Sequence, residues 1–443
     1  MNVIIKALLL SLLAAPVAGE AVSAAAQGLD GYMARRDENY QWKRSGRFDH
    51  KGLEVVDLKL TSQVWQGRAW KHNLRVVLAP KPEAYALLFL AGSEDGSKSL
   101  DFLSEFVRAS GMSAAVLTNV PNQPDFDGRK ENALMAFTFH RYLETGDDSW
   151  PVIFPMVRAA ARAMDTLTAF SSSELGFSID KFILSGASKR GWTAWLSAAV
   201  DSRVQAIAPM VFDMLNMREQ IRLAQASYGK ESEKIADFSR FGIIDRIDEP
   251  RTSQLRTWVD PYSYVERLNI PKLILLGTND PYWVVDSLNL YFDELKGRKH
   301  IYYVPNGTHS ISSVKEVRES LASWASAVRA CDLPRLQWRQ NSPSELLRSI
   351  SITADRPILN ARLWRAESAG DDFRGAKWSG SEVRTNFQKS TLKVSFEAEE
   401  GQNMAYFVEL TLEAAGQLIR LSSPITVIGR NRVVKRGIFA ALH

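Results

Sequence analysis

The chain has 443 residues, of which 45% are hydrophobic and 24% charged, a globular balance that excludes a disordered or fibrous protein. The formal net charge is +5, but lysine and arginine are scattered among nearly as many acidic residues, and no nucleic-acid-binding motif accompanies the excess. We therefore expect a mildly basic surface, no nucleic-acid partner, and a core large enough for an enzyme.

Residues 1–26 predict a cleavable signal peptide. Lys6 precedes an uncharged run of 13 residues, Ala7–Gly19, and small residues follow as far as Ala26. The run is too short for a helix that spans a bilayer, which needs about 20 residues, and nothing later approaches a stable membrane span. The alternative is a buried N-terminal helix. We expect an exported protein, periplasmic or secreted.

Cysteine and histidine are too sparse for a structural metal or a disulfide. Cys331 is the single cysteine, so an intramolecular disulfide is excluded, and the six histidines show no metal-ligand spacing. We expect neither a metal nor another cofactor.

Residues 27–332 predict an α/β domain in which short buried strands alternate with amphipathic helices. Such alternation favours a doubly wound, mostly parallel sheet. Two earlier strands, around Val55–Leu60 and Val64–Ala69, are joined by a short connection and are expected to be antiparallel. The later predicted strands are Arg75–Leu78, Ala86–Leu90, Ala114–Leu117, Phe182–Leu184, Ala206–Ala208 with Met210–Phe212, Leu273–Leu276 and Ile301–Val304. The helical patterns include Arg129–Thr145, Phe154–Phe170, Trp192–Val200 and Val284–Leu295.

Two segments depart from this alternation. Residues 213–258, here called the cap segment, are charged and helix-prone, and they are expected to lie above the carboxyl ends of the sheet strands as a cap or lid. Residues 333–443 mix apolar and polar positions over short spans, which predicts a small antiparallel β-sandwich.

The sequence around Ser188 predicts a nucleophile elbow. A buried strand ends, Gly186-Ala-Ser188-Lys-Arg-Gly191 follows, and a helix begins. In an elbow the serine occupies a strained turn between strand and helix, and its neighbours must be small. Arg190 stands where the usual pattern has its second glycine, and the alternative is an ordinary serine at a helix N-terminus. The amide of Lys189, at the start of the helix, and a donor near Ser93 are the predicted oxyanion hole.

His309 is the predicted general base. In this arrangement the base follows the nucleophile along the chain, which leaves His300, His309 and His443. His300 opens a strand at the wrong end of the sheet, and His443 belongs to the C-terminal segment. His309 directly follows the predicted strand Ile301–Val304, at the edge where the elbow also ends.

Two aspartates compete for the role of the acid that orients the histidine. Asp280 ends the run Leu273–Asp280 in a turn before Pro281, and Asp213 follows the preceding strand. The sequence favours Asp280, although an aspartate before proline is also a common turn former.

Four stretches, Pro121–Pro124, Ser185–Trp192, Asp260–Tyr264 and Gly277–Trp283, closely resemble the PhoPQ-activated pathogenicity-related family of exported bacterial α/β-hydrolase-like proteins. The resemblance covers about residues 30–330. It implies an α/β-hydrolase fold with a triad at Ser188, Asp280 and His309, and it implies no particular substrate. The form of the elbow is also similar, more distantly, to glucuronoyl esterases of bacteria and fungi.

The function expected from these residues is serine hydrolysis of a carboxylic ester of a small molecule or saccharide. A peptidase or amidase with the same triad is the first alternative, and a non-catalytic envelope-interaction protein is the second. Arg190 and Trp192 are the candidate substrate-binding residues. Lys189 and Arg190 are cations at a helix N-terminus, where the helix dipole disfavours them, so they indicate an acidic substrate unless a carboxylate such as Asp201 pairs with them.

Overall fold

The computed structural model describes residues 27–93, 95–341, 347–384, 389–397 and 403–429. The predicted signal peptide, residues 1–26, and His443 lie outside the described residues, so export stays a prediction. Among the described residues, none of the helices combines the length and the apolar composition that a bilayer crossing requires.

A nine-stranded mixed sheet forms the centre of residues 27–332, in the order β1-β2-β3-β5-β4-β6-β7-β8-β9. The pairs among β1, β2, β3 and β5 are antiparallel, and every other pair is parallel. This is the α/β-hydrolase fold, as predicted. The strands are β1 Gln41–His50, β2 Leu53–Trp65, β3 Arg68–Val77, β4 Tyr85–Leu90, β5 Ser113–Leu117, β6 Lys181–Ala187, β7 Val204–Met210, β8 Lys272–Gly277 and β9 Lys299–Val304.

Helices cover both faces of this sheet. Successive residues of the parallel strands are apolar and fully buried, for example Leu87 and Leu88 of β4, because each strand packs on both sides. The helices are α1 Gly28–Ala34, α2 Leu100–Ser110, α3 Glu131–Thr145, α4 Ile153–Phe170, α5 Lys189–Val200, α6 Met217–Tyr228, α7 Ala236–Arg240, α8 Pro250–Val259 and α9 Lys315–Arg329. The core on one face includes α2 and α9, and the core on the other includes α4 and α5.

Two predicted elements differ from the structure. The predicted strand Val55–Leu60 is part of the longer β2, which runs on to Trp65 through an irregularity between Thr61 and Gln63. The second predicted strand, Val64–Ala69, is wrong, because it spans the end of β2, the turn at residues 66–67 and the start of β3. The helix predicted at Val284–Leu295 is replaced by two 3₁₀ turns, Ser287–Leu290 and Phe292–Glu294. Lys299 donates to the carbonyl groups of Phe292 and Asp293, so contacts with β9 use backbone acceptors that a continuing helix needs.

The cap segment connects β7 to β8 and contains α6, α7 and most of α8, with a short 3₁₀ turn at Glu233–Ile235. These helices lie at the carboxyl ends of the parallel strands, since β7 ends at Met210 and Ser188 follows β6 at the same edge.

The C-terminal region contains two antiparallel sheets that face each other, as Phe396 of one meets Tyr406 of the other at 4.7 Å between ring centroids. One sheet also packs on β9, where the Ser422 hydroxyl accepts a hydrogen bond from the Tyr303 amide at 3.2 Å. The edge strand of the large sheet is therefore covered. The strands are β10 Leu336–Asn341, β11 Leu347–Ala354, β12 Asn360–Ser368, β13 Ser379–Val383, β14 Thr391–Glu397, β15 Asn403–Ala414, β16 Gln417–Ser422 and β17 Thr426–Ile428.

Candidate active site

Ser188 lies on a strained turn between β6 and α5, with φ 58° and ψ −123°. A non-glycine residue at positive φ is uncommon and marks stored backbone strain. Such a conformation is the one that a nucleophile elbow requires, because it lifts the hydroxyl above the end of the strand.

The glycines beside Ser188 explain the spacing of the motif. A Cβ atom at Gly186 would lie 2.7 Å from the Cβ of Arg190, and one at Gly191 would lie 3.0 Å from the carbonyl oxygen of Gly186 and 3.1 Å from that of Met210. The close approach of α5 to the sheet therefore occurs at Gly191. A larger residue fits at position 190, which accounts for the departure from the usual elbow pattern.

Lys189 and Arg190 are paired with Glu131, which corrects the prediction that they indicate an acidic substrate. The Arg190 guanidinium donates to both carboxylate oxygens of Glu131, at 2.8 and 2.7 Å, and also to the carbonyl of Val120. The Lys189 ammonium lies 3.1 Å from the same carboxylate. The two cations thus have a carboxylate partner within the fold, and Arg190 is not a free anion-binding group.

Asp201, the carboxylate that the sequence offers as a partner for these cations, binds Arg203 instead, at 2.7 Å. Glu131 is far from the elbow in sequence and stands in the first turn of α3. Nothing in the local sequence distinguishes it from the other acidic residues.

Glu131 also connects the elbow with Gln123 and Ser93, which lie earlier in the chain. Its carboxylate accepts a hydrogen bond from the Gln123 side chain, which in turn donates to the Ser93 hydroxyl at 3.0 Å. Burial alone would raise the pKa of Glu131, but the hydrogen bonds and charges of Arg190 and Lys189 hold it at about 2. The carboxylate is therefore ionised under all ordinary conditions.

We expect Glu131→Gln to lower the free energy of unfolding by about 1 to 3 kcal/mol at pH 7, because it leaves two buried cations without a carboxylate. The lower part of that range reflects a Glu131 side chain that is 44% exposed. Since the pKa is lowered on folding, wild-type stability should fall as the pH drops from about 4.5 toward 2, and the variant should lack this component. Urea unfolding at pH 7 and pH 3 measures both effects.

Glu144→Gln is the matched control, since Glu144 lies on the same helix, is 46% exposed and pairs with two half-buried residues of that helix, His140 and Arg141. Equal losses of stability in the two variants would contradict a structural role for the Glu131 cluster.

Asp280 and His309 form a hydrogen bond of 2.8 Å between Oδ2 and Nδ1. Asp280 follows β8 and is buried, while the His309 side chain, which follows β9, is 20% exposed. The second oxygen of Asp280 accepts the Tyr282 amide at 2.9 Å, so the carboxylate is fixed from both sides. The structure thus brings together the predicted acid and base.

The other ring nitrogen of His309, Nε2, is buried and has no hydrogen-bond partner among the described residues. The Ser188 hydroxyl is therefore not bonded to it in this structure. Catalytic hydrogen bonds are often long in structures without substrate. Tyr282 connects the two residues, because its ring stacks on His309 with centroids 3.9 Å apart and it lines the same cavity as Ser188.

Asp213, the rival acid, is fully engaged elsewhere. Its carboxyl accepts the Tyr291 hydroxyl at 2.7 Å, and no hydrogen bond joins it to His309 within the described residues. Burial raises the pKa of Asp213 to about 7, the bond from Tyr291 opposes that shift, and the charge of Asp280 adds to it.

The remaining predicted residues fall in two groups. Trp192 lines the cavity beside Ser188, stacks on Phe212 at 5.2 Å and donates to the Val259 carbonyl, so it is placed to contact a substrate. Ser93 does not line that cavity, and only its backbone remains a candidate oxyanion donor. His300 is buried and bonded to Pro334 and Trp324, which is a structural role.

Sequence reasoning missed a loop of the C-terminal region, residues 374–378, that contacts the two loops on which Asp280 and His309 lie. Asn279, next to Asp280, donates to the carbonyl groups of Arg374 and Ala376. Asn306, three residues before His309, exchanges two hydrogen bonds with the backbone of Trp378, at 3.0 and 2.8 Å. The loop 374–378 therefore fixes the relative position of the two loops. No signal in the sequence of this loop indicates such a role.

The cavity at Ser188 has a volume of about 110 Å³ and lies between the sheet edge and the cap segment. Most of its lining is apolar. In the part of the chain that the structure describes, no group of three or more His, Cys, Asp or Glu side chains is arranged to hold a metal ion.

Residues 29–374 match the family model of the PhoPQ-activated pathogenicity-related protein. The match spans more than half of the chain. The chain therefore belongs to this family, and it has the α/β-hydrolase fold. The resemblance noted in the sequence is thereby confirmed.

One curated relative is autocrine proliferation repressor protein A of Dictyostelium discoideum, 33% identical over 303 residues. The alignment covers 64% of this chain and 61% of the relative, so the chain spans about three fifths of that protein.

Among solved structures, acetyl xylan esterase 1 of Thermoanaerobacterium sp. JW/SL YS485 is 18% identical, with a TM-score of 0.46 over 64% of this chain and 86% of that one. The glucuronoyl esterase of Solibacter usitatus is 13% identical, with a TM-score of 0.37 over 66% and 87% of the two chains. Similarity at this level carries no information on activity.

Proposed function

We propose that this protein hydrolyses carboxylic esters, with Ser188 as nucleophile, His309 as general base and Asp280 as the acid that orients the base. The observation that carries the proposal is the 2.8 Å bond between Asp280 and His309 at the sheet edge where Ser188 occupies a strained elbow. A buried Nε2 without a partner among the described residues supports it, because a general base needs one free acceptor nitrogen.

The chemistry proceeds in two halves. The Asp280 carboxylate accepts a hydrogen bond from the Nδ1–H group of His309, which keeps the proton on Nδ1 and leaves Nε2 unprotonated. Nε2 then takes the proton of the Ser188 hydroxyl as the oxygen attacks the carbonyl carbon. The amide of Lys189, at the N-terminus of α5, stabilises the oxyanion together with a backbone donor near Ser93. The imidazolium then protonates the leaving alcohol, and an activated water cleaves the acyl-enzyme in the same way.

Two alternatives make different predictions from this one. A peptidase or amidase uses the same three residues but must also protonate an amine leaving group, so it cleaves amides as well as esters. A non-catalytic interaction protein on this scaffold needs no reactive serine. The intact Asp280–His309 bond and the strained conformation of Ser188 favour an enzyme.

Labelling with a fluorophosphonate tests the proposal directly, since the reagent reacts with an activated serine and not with an ordinary one. We expect stoichiometric labelling of the purified chain, with the adduct on Ser188 in a peptide map. A panel of acyl esters, anilides and peptides, tested with the same preparation, should show turnover of esters well above amides. Failure to label at any pH between 6 and 9 would favour the non-catalytic alternative.

A further inference from the structure

The cavity at Ser188 is built from apolar side chains of both the sheet edge and the cap segment. Helices α6, α7 and α8 and the segments between them line it from above, and the residues below belong to the sheet domain. Six that represent both sides are Met135, Phe212, Met217, Ile221, Ile243 and Leu255, all of them buried. A buried apolar cavity of this kind binds ligands by removing apolar surface from water.

Two cations, Lys189 and Arg256, line the cavity. The Lys189 ammonium donates to Asn132 at 2.8 Å and pairs with Glu131. Arg256 donates to Ser253 at 2.9 Å, and its Nε is buried without a hydrogen-bond partner among the described residues. A ligand carboxylate would therefore lose its hydration in a mostly apolar cavity, and the lysine beside Ser188 that it would meet already has a carboxylate partner.

We propose that this cavity is the acyl pocket, and that the substrates are esters whose acyl group is a short, uncharged hydrocarbon chain. The proposal rests on the hydrolase function proposed above and names the substrate class of that site. It replaces the acidic substrate that the two cations of the elbow suggested.

The acyl group, and not the alcohol, is assigned to the cavity because of the order of the reaction. The alcohol must leave before water enters, whereas the acyl group stays bonded to Ser188 through both steps. The cavity is covered by the cap segment, so it is better placed to hold the acyl group, which stays on Ser188, than the alcohol, which must leave.

The size of the cavity sets the preferred length. Its volume is about 110 Å³, somewhat smaller than the roughly 150 Å³ of an apolar cavity that holds benzene. An acyl chain of about four to six carbons fits such a space.

The first experiment varies the acyl chain from acetyl to decanoyl at constant p-nitrophenol leaving group, with the wild-type protein. We expect kcat/KM to rise by up to about fourfold per added methylene until the cavity is filled, and then to level or fall. A glutaryl ester should be a poorer substrate than the pentanoyl ester of equal chain length. A profile that is flat with acyl length, or a preference for the glutaryl ester, would overturn the proposal.

A second series keeps the acyl group constant and varies the alcohol from methyl to hexyl. We expect kcat/KM to change by less than about threefold across it. Selectivity that follows the alcohol instead would assign the cavity to the leaving group and overturn the proposal.

Variants of the lining test the assignment to this cavity. Met217→Trp should fill the space and move the preference toward acetyl, and Leu255→Ala should enlarge it and move the preference toward longer chains. Leu103→Ala is the matched control, since Leu103 is equally buried on α2, on the other face of the sheet. The control should lower stability without moving the preferred chain length.

These outcomes separate the two proposals. If Ser188 takes up no fluorophosphonate and no ester is cleaved, the hydrolase function itself fails. If the serine is labelled and acetyl esters are cleaved, but the wild-type profile shows no chain-length optimum, only the acyl pocket fails. The wild-type profile decides this even where a lining variant does not fold.

Discussion

Replacing Ser188 with alanine is expected to abolish ester hydrolysis, with a loss on the order of a millionfold in kcat for a complete triad. The loss is large because the hydroxyl forms the bond to the substrate, and water bound in its place lacks both the geometry and the covalent intermediate. Stability should be nearly unchanged or higher, because the strained conformation of Ser188 serves the reaction and not the core. Steady-state kinetics and thermal unfolding measure the two quantities.

Ser185→Ala is the matched control for that substitution. Ser185 stands on β6, three residues before Ser188, and its buried hydroxyl donates to the carbonyl of Ala208 at 2.7 Å. Its removal should cost less than about tenfold in activity and about 1 kcal/mol in stability. A drop of less than tenfold in the Ser188 variant as well would assign the nucleophile to another residue.

The sheet and the position of the site could be predicted because both depend on local patterns. Each parallel strand is a short apolar run closed by a turn, and the carboxyl ends of such strands meet at one edge. Ser188, Asp280 and His309 lie within a few residues of the ends of β6, β8 and β9, so the order of the strands alone places them at that edge.

The partners of the charged residues could not be predicted, because they depend on contacts between distant parts of the chain. Glu131 reaches Lys189 and Arg190 only through the packing of α3 against the elbow. The hydrogen bonds of Asn279 and Asn306 with the loop 374–378 arise in the same way, from the docking of the C-terminal sheets. The premise of the acidic-substrate prediction was wrong for this reason: the two cations have a carboxylate partner, and it lies far away in the sequence.

The C-terminal region thereby acquires a defined relation to the site. A single loop of it bonds to the residue beside Asp280 and to the loop of His309, while Arg374 of that loop lies over the ring of Tyr228 in the cap segment, 3.9 Å from its centroid. The positions of acid, base and cap are consequently coupled through one loop.

Asp280→Asn is expected to lower kcat by about 10⁴, because an amide can donate to Nδ1 and so stabilise the wrong tautomer of His309. Asp213→Asn should cost less than about tenfold, since the Asp213 carboxyl is bonded to Tyr291 and has no bond to the histidine among the described residues. Kinetics of both variants at saturating ester give the comparison, and circular dichroism checks that each is folded.

The two variants should also differ in how stability depends on pH. The pKa of Asp213 is raised from 3.8 to about 7 in the folded protein, so the folded state binds this proton more tightly, and wild-type stability should decline as the pH rises from about 4 to 7. Asp213→Asn cannot ionise and should show a smaller decline over that range, while Asp280→Asn should retain a decline. The kinetic comparison decides which aspartate is the acid. If Asp213→Asn loses more activity than Asp280→Asn, the acid lies after β7 and Asp280 is only a turn residue. A large loss in Asp280→Asn alone assigns the orienting role to the carboxylate that is bonded to His309 in the structure.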